Sequence, residues 1–179
     1  GIVSEPVGSD GTVKVLTNIV CAFGISEKKI GNAISTLLPA IKGALAAVPV
    51  KGRITVSGYE GSELLVGRLL IESGAEVPYV GTACPRTPYN ADDADWLMSK
   101  GAEVKFRASL EDDCAAMEAF QPDLAIGTTP VVQKGKELGI PSLYFTNLIS
   151  ARPLMGPAGA GSLGQVVNAA IANKGRMEH

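Results

Sequence analysis

The residues able to do chemistry in this chain are few and widely spaced. Cys84 stands beside Pro85 and Arg86. A neighbouring guanidinium favours a thiolate able to ligate a metal or attack an electrophile. The competing account is a small, half-buried residue at a strand end. Cys21 and Cys114 fall in apolar helical patterns and read as core. No two of the three cysteines have the short spacing of a self-contained iron–sulfur motif. An odd, sparse count makes no disulfide framework, so a reducing, cytoplasmic setting is expected. Glu60 and Glu63 bracket a helix start, where the dipole stabilises a carboxylate. Capping explains both, and proton donation by Glu60 is the sharper alternative. Asp92, Asp93 and Asp95 read as a solvated helix face rather than a metal site. Arg86 and Arg152 sit in loops, where each either binds a ligand carboxylate or packs on the surface. His179, at the very end, is the single histidine, which argues against a Ser-His-Asp triad or a His-rich metal site.

Elements must bring such scattered groups together, and the pattern supplies them. Residues 1–50 read as a helical lead-in. A loop and a short helix come first, and Ser26 caps a longer helix. Ile30, Ile34, Leu37, Ile41, Leu45 and Val48 give that helix one buried face. Pro39 inside it should kink or divide it. Residues 51–179 alternate strands with helices. Strands are expected at 54–57, 77–81, 104–107, 124–127 and 142–145. Helices are expected at 62–73, 91–100, from Ser109 onward, at 131–138, and from Leu163 to the end. Pro78 removes a ladder donor, which predicts an edge position for its strand. Ser109 and Asp112 form a capping-box variant, with Leu110, Cys114 and Met117 on the helix's inner face. Leu124-Ala125-Ile126-Gly127 is apolar throughout, as in a strand covered on both faces.

This alternation predicts a doubly wound, mainly parallel, Rossmann-like α/β domain. Ligands of such sheets bind beyond the carboxyl ends of the strands. Four segments fall there: 57–61, 81–86, 127–130 and 146–147. Their candidate ligand-binding residues are Tyr59, Gly61, Thr82, Arg86, Thr128, Thr129, Asn147 and, farther on, Arg152. Phosphate-loop signatures are missing. The Gly156-Pro157-Ala158-Gly159-Ala160-Gly161 stretch either offers N–H groups to an anion or is a turn that lets helices pack closely.

The 179 residues are 46% hydrophobic and 19% charged, with a net charge of −2. That composition is globular and lacks the basic stripe of a nucleic-acid surface. No apolar run approaches the roughly 20 residues of a membrane span. The opening Gly1-Ile2-Val3-Ser4-Glu5-Pro6 has neither an initiator Met nor a signal-peptide layout, which predicts a chain that begins inside a longer protein.

Four strings carry a family resemblance: residues 51–65, residues 79–88, residues 123–134 and, most specifically, the run from Tyr144 to Gly156. They resemble the Y subunits of chlorophyllide a reductases, nitrogenase-like enzymes of bacteriochlorophyll synthesis, in the later part of that subunit. The resemblance implies a nitrogenase component 1-like fold and a heterotetramer with a Z subunit. It implies an iron–sulfur ATPase, subunit X, that binds ATP-Mg and passes on electrons one at a time. A [4Fe-4S] cluster at the subunit interface would relay them, with ligands in an earlier part of the subunit, so no cluster ligand is expected here. The implied reaction reduces the C7=C8 bond of chlorophyllide a, and this region would help wall the tetrapyrrole cavity. Other nitrogenase-like tetrapyrrole reductases, of the protochlorophyllide type, are the near alternative. A non-catalytic small-molecule-binding module and a nucleotide-sugar transferase-like domain are the distant ones.

Overall fold

The computed structural model describes residues 6–150 and 154–173. Five strands form one wholly parallel sheet: β1 (Arg53–Gly58), β2 (Glu76–Thr82), β3 (Glu103–Phe106), β4 (Leu124–Gly127) and β5 (Ser142–Tyr144). Their spatial order is β3-β2-β1-β4-β5. The chain therefore builds outward from β1 to β3, then crosses back to start again at β4 on the other side of β1. That reversal makes the gap between β1 and β4 the topological switch point of the sheet.

Helices α3 (Glu63–Glu72) and α4 (Ala91–Ser99) link the first three strands across one face, joined there by α8 (Gly156–Ala172). Helices α5 (Leu110–Phe120) and α6 (Thr129–Leu138) cover the opposite face. The side-chain alternation of β1 assigns the two cores. Ile54 and Val56 point into the large core with Leu64, Leu69, Leu70, Leu97, Leu124, Ile126 and Leu163, whereas the small second core holds Met117, Ala125, Val131 and Ile140. The second face is the more polar: Thr55, Ser57 and Asp113 are all buried.

Two helices precede the sheet, α1 (Gly8–Phe23) and α2 (Glu27–Ala47), and α2 lies along α8. Gly164 allows this approach, because a Cβ there would come within 2.7 Å of the Val48 carbonyl oxygen. Arg68 on α3 ties the layers together. Its guanidinium donates to Asp93 on α4 at 2.6 Å and to Asp10 on α1 at 2.8 Å, and it stacks 4.5 Å from the Trp96 ring.

Several expectations are corrected. β2 is an interior strand, although it carries Pro78. The β1–β2 register slips by one residue between the Arg53–Glu76 and Thr55–Tyr79 pairs, and the β2–β3 ladder begins only at Tyr79. Pro78 thus sits at an irregularity where no ladder donor is needed. Pro39 does not divide α2, which runs through it unbroken. Within α2, Ile30, Ile41 and Leu45 are buried, while Ile34 and Leu37 are only half-buried. Contrary to the reading of the apolar runs, α2 is long and apolar enough by composition to cross a membrane. Its packing on α1 and α8 accounts for part of that apolar character.

The inner face of α5 is turned by one residue from expectation. Asp113, Ala116 and Met117 are buried, Leu110 is exposed, and Cys114 is half-buried. Cys21 is exposed rather than core, because α1 buries only its first turns. The 156–161 stretch is the opening of α8 and not a loop. A short helix, α7 (Phe145–Ser150), continues directly from β5 and takes in Thr146 and Asn147.

The capping box at α5 is present as expected. Ser109 Oγ accepts from the Asp112 N–H at 3.2 Å, and Asp112 Oδ2 accepts from the Ser109 N–H at 2.9 Å. Ser109→Ala removes one arm and is expected to lower stability by about 1 kcal/mol, read as a shift in the urea midpoint. An unchanged midpoint would show that the box is energetically idle.

Candidate functional site

The switch point holds a notch of about 30 Å³ lined by Gly58, Tyr59, Glu60, Gly127, Thr128, Thr129, Tyr144, Phe145 and Thr146. Each belongs to the carboxyl end of β1, β4 or β5 or to the first residues after that strand. The parallel sheet delivers all three ends to one edge, which is why residues some 85 positions apart meet there. Tyr59 is 60% exposed and Glu60 is exposed, so both face outward from the rim. Thr128 caps α6 through its backbone alone, which leaves its hydroxyl uncommitted to the helix.

One buried carboxylate holds the rim in shape. Glu63, the first residue of α3, is fully buried. Its Oε1 accepts from the Glu60 N–H at 2.7 Å, and its Oε2 accepts from the Gly61 N–H at 2.9 Å and the Thr82 hydroxyl at 2.9 Å. Thr82 Oγ1 in turn accepts from the Cys84 N–H at 3.2 Å. The β1–α3 loop and the β2–α4 loop are thereby joined through one side chain, reinforced by the Ala83 N–H donating to the Gly58 carbonyl at 2.9 Å. Gly58 makes this possible, since a Cβ would fall 2.5 Å from Glu63 Oε1. Gly61 is required for its backbone, at φ +89°.

The other candidates occupy separate places. Gly61 adjoins Cys84, whose Sγ lies 4.0 Å from the Tyr59 carbonyl oxygen. Thr82 is fully buried, with its hydroxyl engaged by Glu63. Arg86 is held by Asp95 at 2.7 Å, away from the notch. Asn147 is exposed on α7 and does not line the notch. Arg152 lies outside the described residues, as does His179. The acidic run is spoken for by ion pairs: Asp92 with Lys14, Asp93 with Arg68, and Asp95 with Arg86.

In the sequence Glu63 is no more than a helix start, and nothing marks Asp113. The Gly58 and Gly61 positions flanking the Glu63 loop were the available signal for the first. Asp113 had none, because its partner Tyr79 is 34 residues away. The Tyr79 hydroxyl donates to Asp113 Oδ1 at 2.8 Å on the polar face of the sheet. Burial there pushes the Asp113 carboxyl up to about 6, against a lowering from the Tyr79 hydrogen bond. Burial likewise raises the Tyr79 phenol, helped by the Asp113 charge.

The chemistry available in the notch is that of hydroxyls, two phenols, a carboxylate and backbone groups. No cluster of three or more His, Cys, Asp or Glu side chains able to hold a metal ion occurs among the described residues. Cys21 lies on α1, Cys84 in the loop after β2 and Cys114 on α5, and burial and the nearby Asp113 charge raise the Cys114 thiol. These residues do not fit an iron–sulfur cluster.

A doubly wound sheet with a rim of small and hydroxyl residues at its switch point suits several families, and comparison with known proteins singles out one. Residues 2–172 match the family described as nitrogenase component 1 type oxidoreductase, and the chain belongs to that family. It is 72% identical over 174 residues to the protein named chlorophyllide reductase 52.5 kDa chain of Rhodobacter capsulatus. It is 71% identical over 174 residues to the protein of the same name from Cereibacter sphaeroides. The matches cover 97% of this chain and 35% of each relative, so the chain spans about a third of their length. Solved structures named nitrogenase Cp1 share the fold. The one at pH 6.5 has a TM-score of 0.67 at 20% identity, over 97% of this chain and 40% of that one. The one at pH 5 has a TM-score of 0.70 at 15% identity, over 97% and 42%. The chain is thus a homologue of these proteins, with a Rossmann-like α/β fold.

Proposed function

We propose that this chain is the later part of the Y subunit of chlorophyllide a reductase. In this reading, residues 1–50 are a helical lead-in and residues 51–179 a Rossmann-like domain of a longer, cytoplasmic subunit. The observation that carries it is the 72% identity, over 97% of the chain, to a protein named for chlorophyllide reduction. At that level the rim residues and the sheet that positions them are expected to serve the same ligand.

The complete enzyme would pair this subunit with a Z subunit in a heterotetramer and draw electrons from the iron–sulfur ATPase X. ATP-Mg would bind X, which suits a chain without a phosphate loop. A [4Fe-4S] cluster would be ligated by residues outside this chain, since the cysteines here do not fit it, and no step is assigned to it. The reaction would reduce the C7=C8 bond of chlorophyllide a, an oxidoreduction of a CH–CH group with an iron–sulfur protein as donor.

The role of these residues is to bind and orient. Tyr59, Gly61, Thr128 and Thr129 would approach the macrocycle along the sheet edge, with Thr82 and Asn147 behind and beside them. Arg86 and Arg152 would meet a propionate carboxylate. Glu60, exposed at the rim, is the candidate proton donor to the ring. The notch is far too small for a tetrapyrrole, so this edge would form one wall of a cavity closed by other parts of the assembly.

The test is anaerobic reconstitution of the full-length subunit with Z, X, ATP-Mg, a reductant and chlorophyllide a. The red absorption band is expected to move to the longer wavelength of a bacteriochlorin, only when ATP and all three subunits are present. No shift from an assembled, iron-loaded complex would refute the substrate assignment. This chain with the ATPase alone is expected to turn over nothing.

A further inference from the structure

We infer that Glu63 is a positioning residue of the ligand cleft, acting through the backbone of Glu60 and Gly61 rather than on the ligand itself. The inference rests on the proposed chlorophyllide-reducing role of the switch-point edge. A fully buried carboxylate is retained only where its acceptor sites are matched by donors, and Glu63 has three: two backbone N–H groups and the Thr82 hydroxyl. An ordinary first-turn glutamate faces water and tunes the helix dipole. This one points back beneath the preceding loop, into space that Gly58 leaves free.

The consequence is geometric. Gly58, Tyr59 and Glu60 line the notch, and the Glu60 and Gly61 amides are the attachment points that set the path of that loop. Through Thr82 the same carboxylate reaches the Cys84 amide, so both loops over the β1 and β2 ends share one anchor. Loops that carry ligand-facing groups are positioned by scaffold hydrogen bonds of this kind. The side chain itself makes no contact with the notch, which separates its role from that of Tyr59 or Glu60.

Glu63→Gln tests the inference in the assembled reductase. A glutamine amide replaces one of the two acceptor oxygens by an NH₂ group that only donates. Whichever way it turns, its NH₂ faces a backbone N–H that has lost its acceptor. KM for chlorophyllide is expected to rise about tenfold, with kcat within about twofold, because the loss falls on the shape of the binding edge. A purely structural role would instead lower the amount of folded complex and leave KM unchanged. Amide hydrogen exchange at Glu60 and Gly61 is expected to accelerate in the same variant. Thr82→Val removes the hydroxyl arm to Glu63, and with it the acceptor of the Cys84 N–H, at nearly constant volume while leaving both loop amides on the carboxylate. It is expected to raise KM about threefold, which keeps the test open if Glu63→Gln fails to assemble. Folded variants with wild-type KM and unchanged exchange at both amides would overturn the inference. A wild-type complex that reduces no chlorophyllide would instead refute the functional reading, and the exchange rates would still report on the anchor.

Discussion

Gly81→Ala is expected to destabilise the protein by about 3 kcal/mol or more, one of the largest effects of any single methyl group in this fold. Gly81 lies on interior strand β2, with partners on both sides. A Cβ there would overlap Asp113 Oδ1 and stand 2.7 Å from the Tyr79 hydroxyl and 2.9 Å from Tyr79 Cε1. The strand cannot retreat without breaking two ladders, so the Tyr79–Asp113 pair must separate. Overpacking of this kind costs about 1–3 kcal/mol. A buried carboxylate left without its donor adds about 1–3 kcal/mol. Urea unfolding of Gly81→Ala, Asp113→Ala and the double variant checks the account. The double variant should be more stable than the sum of the single losses predicts, because Asp113→Ala vacates the space that the new methyl needs. Strict additivity would show that the clash is relieved elsewhere.

The second large effect is a dependence on pH. The Asp113 carboxyl is raised from 3.8 to about 6, with burial as the main cause and the Asp112 and Glu63 charges adding to it. A raised carboxyl binds its proton more tightly in the folded than in the unfolded state. Its contribution to stability is therefore full below about pH 4 and is lost as pH rises through 6. A rise of about two pH units, at about 1.36 kcal/mol each, amounts to about 3 kcal/mol. Asp112 shifts the other way, chiefly through its bond from the Ser109 N–H, and acts below that window. Asp113→Asn keeps an acceptor for the Tyr79 hydroxyl and carries no charge. Its stability is expected to stay level between about pH 4 and 8, and to exceed that of the wild type at pH 8 by up to about 3 kcal/mol. Parallel pH profiles for the two proteins would sink this assignment. Such a profile also bears on purification, since mildly acidic buffer should favour the folded chain.

Much of the fold was legible because each element announces itself locally. The apolar run of β4, the capping box at Ser109 and the glycines after α3 and α4 each act within one turn or one strand. Alternating strands and helices sufficed for a parallel, doubly wound sheet, and the rim residues came with it because carboxyl ends of parallel strands share one edge. The family strings reached the nitrogenase component 1 class for a different reason, since they match whole segments rather than any physical pattern.

What the sequence left open depends on partners distant along the chain. Pro78 looks like an edge residue until the register slip beside it is seen. Cys21 looks like core until α1 is found to bury only its N-terminal turns. Leu110 and Cys114 satisfy the helical period about as well as Asp113, and only the Tyr79 hydroxyl across the sheet decides which of them turns inward. Glu63 is the clearest case. Its position at a helix start is written in the sequence, whereas its burial requires Thr82 from the next strand and the space beside Gly58. Local patterns determine which elements form. A buried polar group needs donors from other elements, and only tertiary packing supplies them.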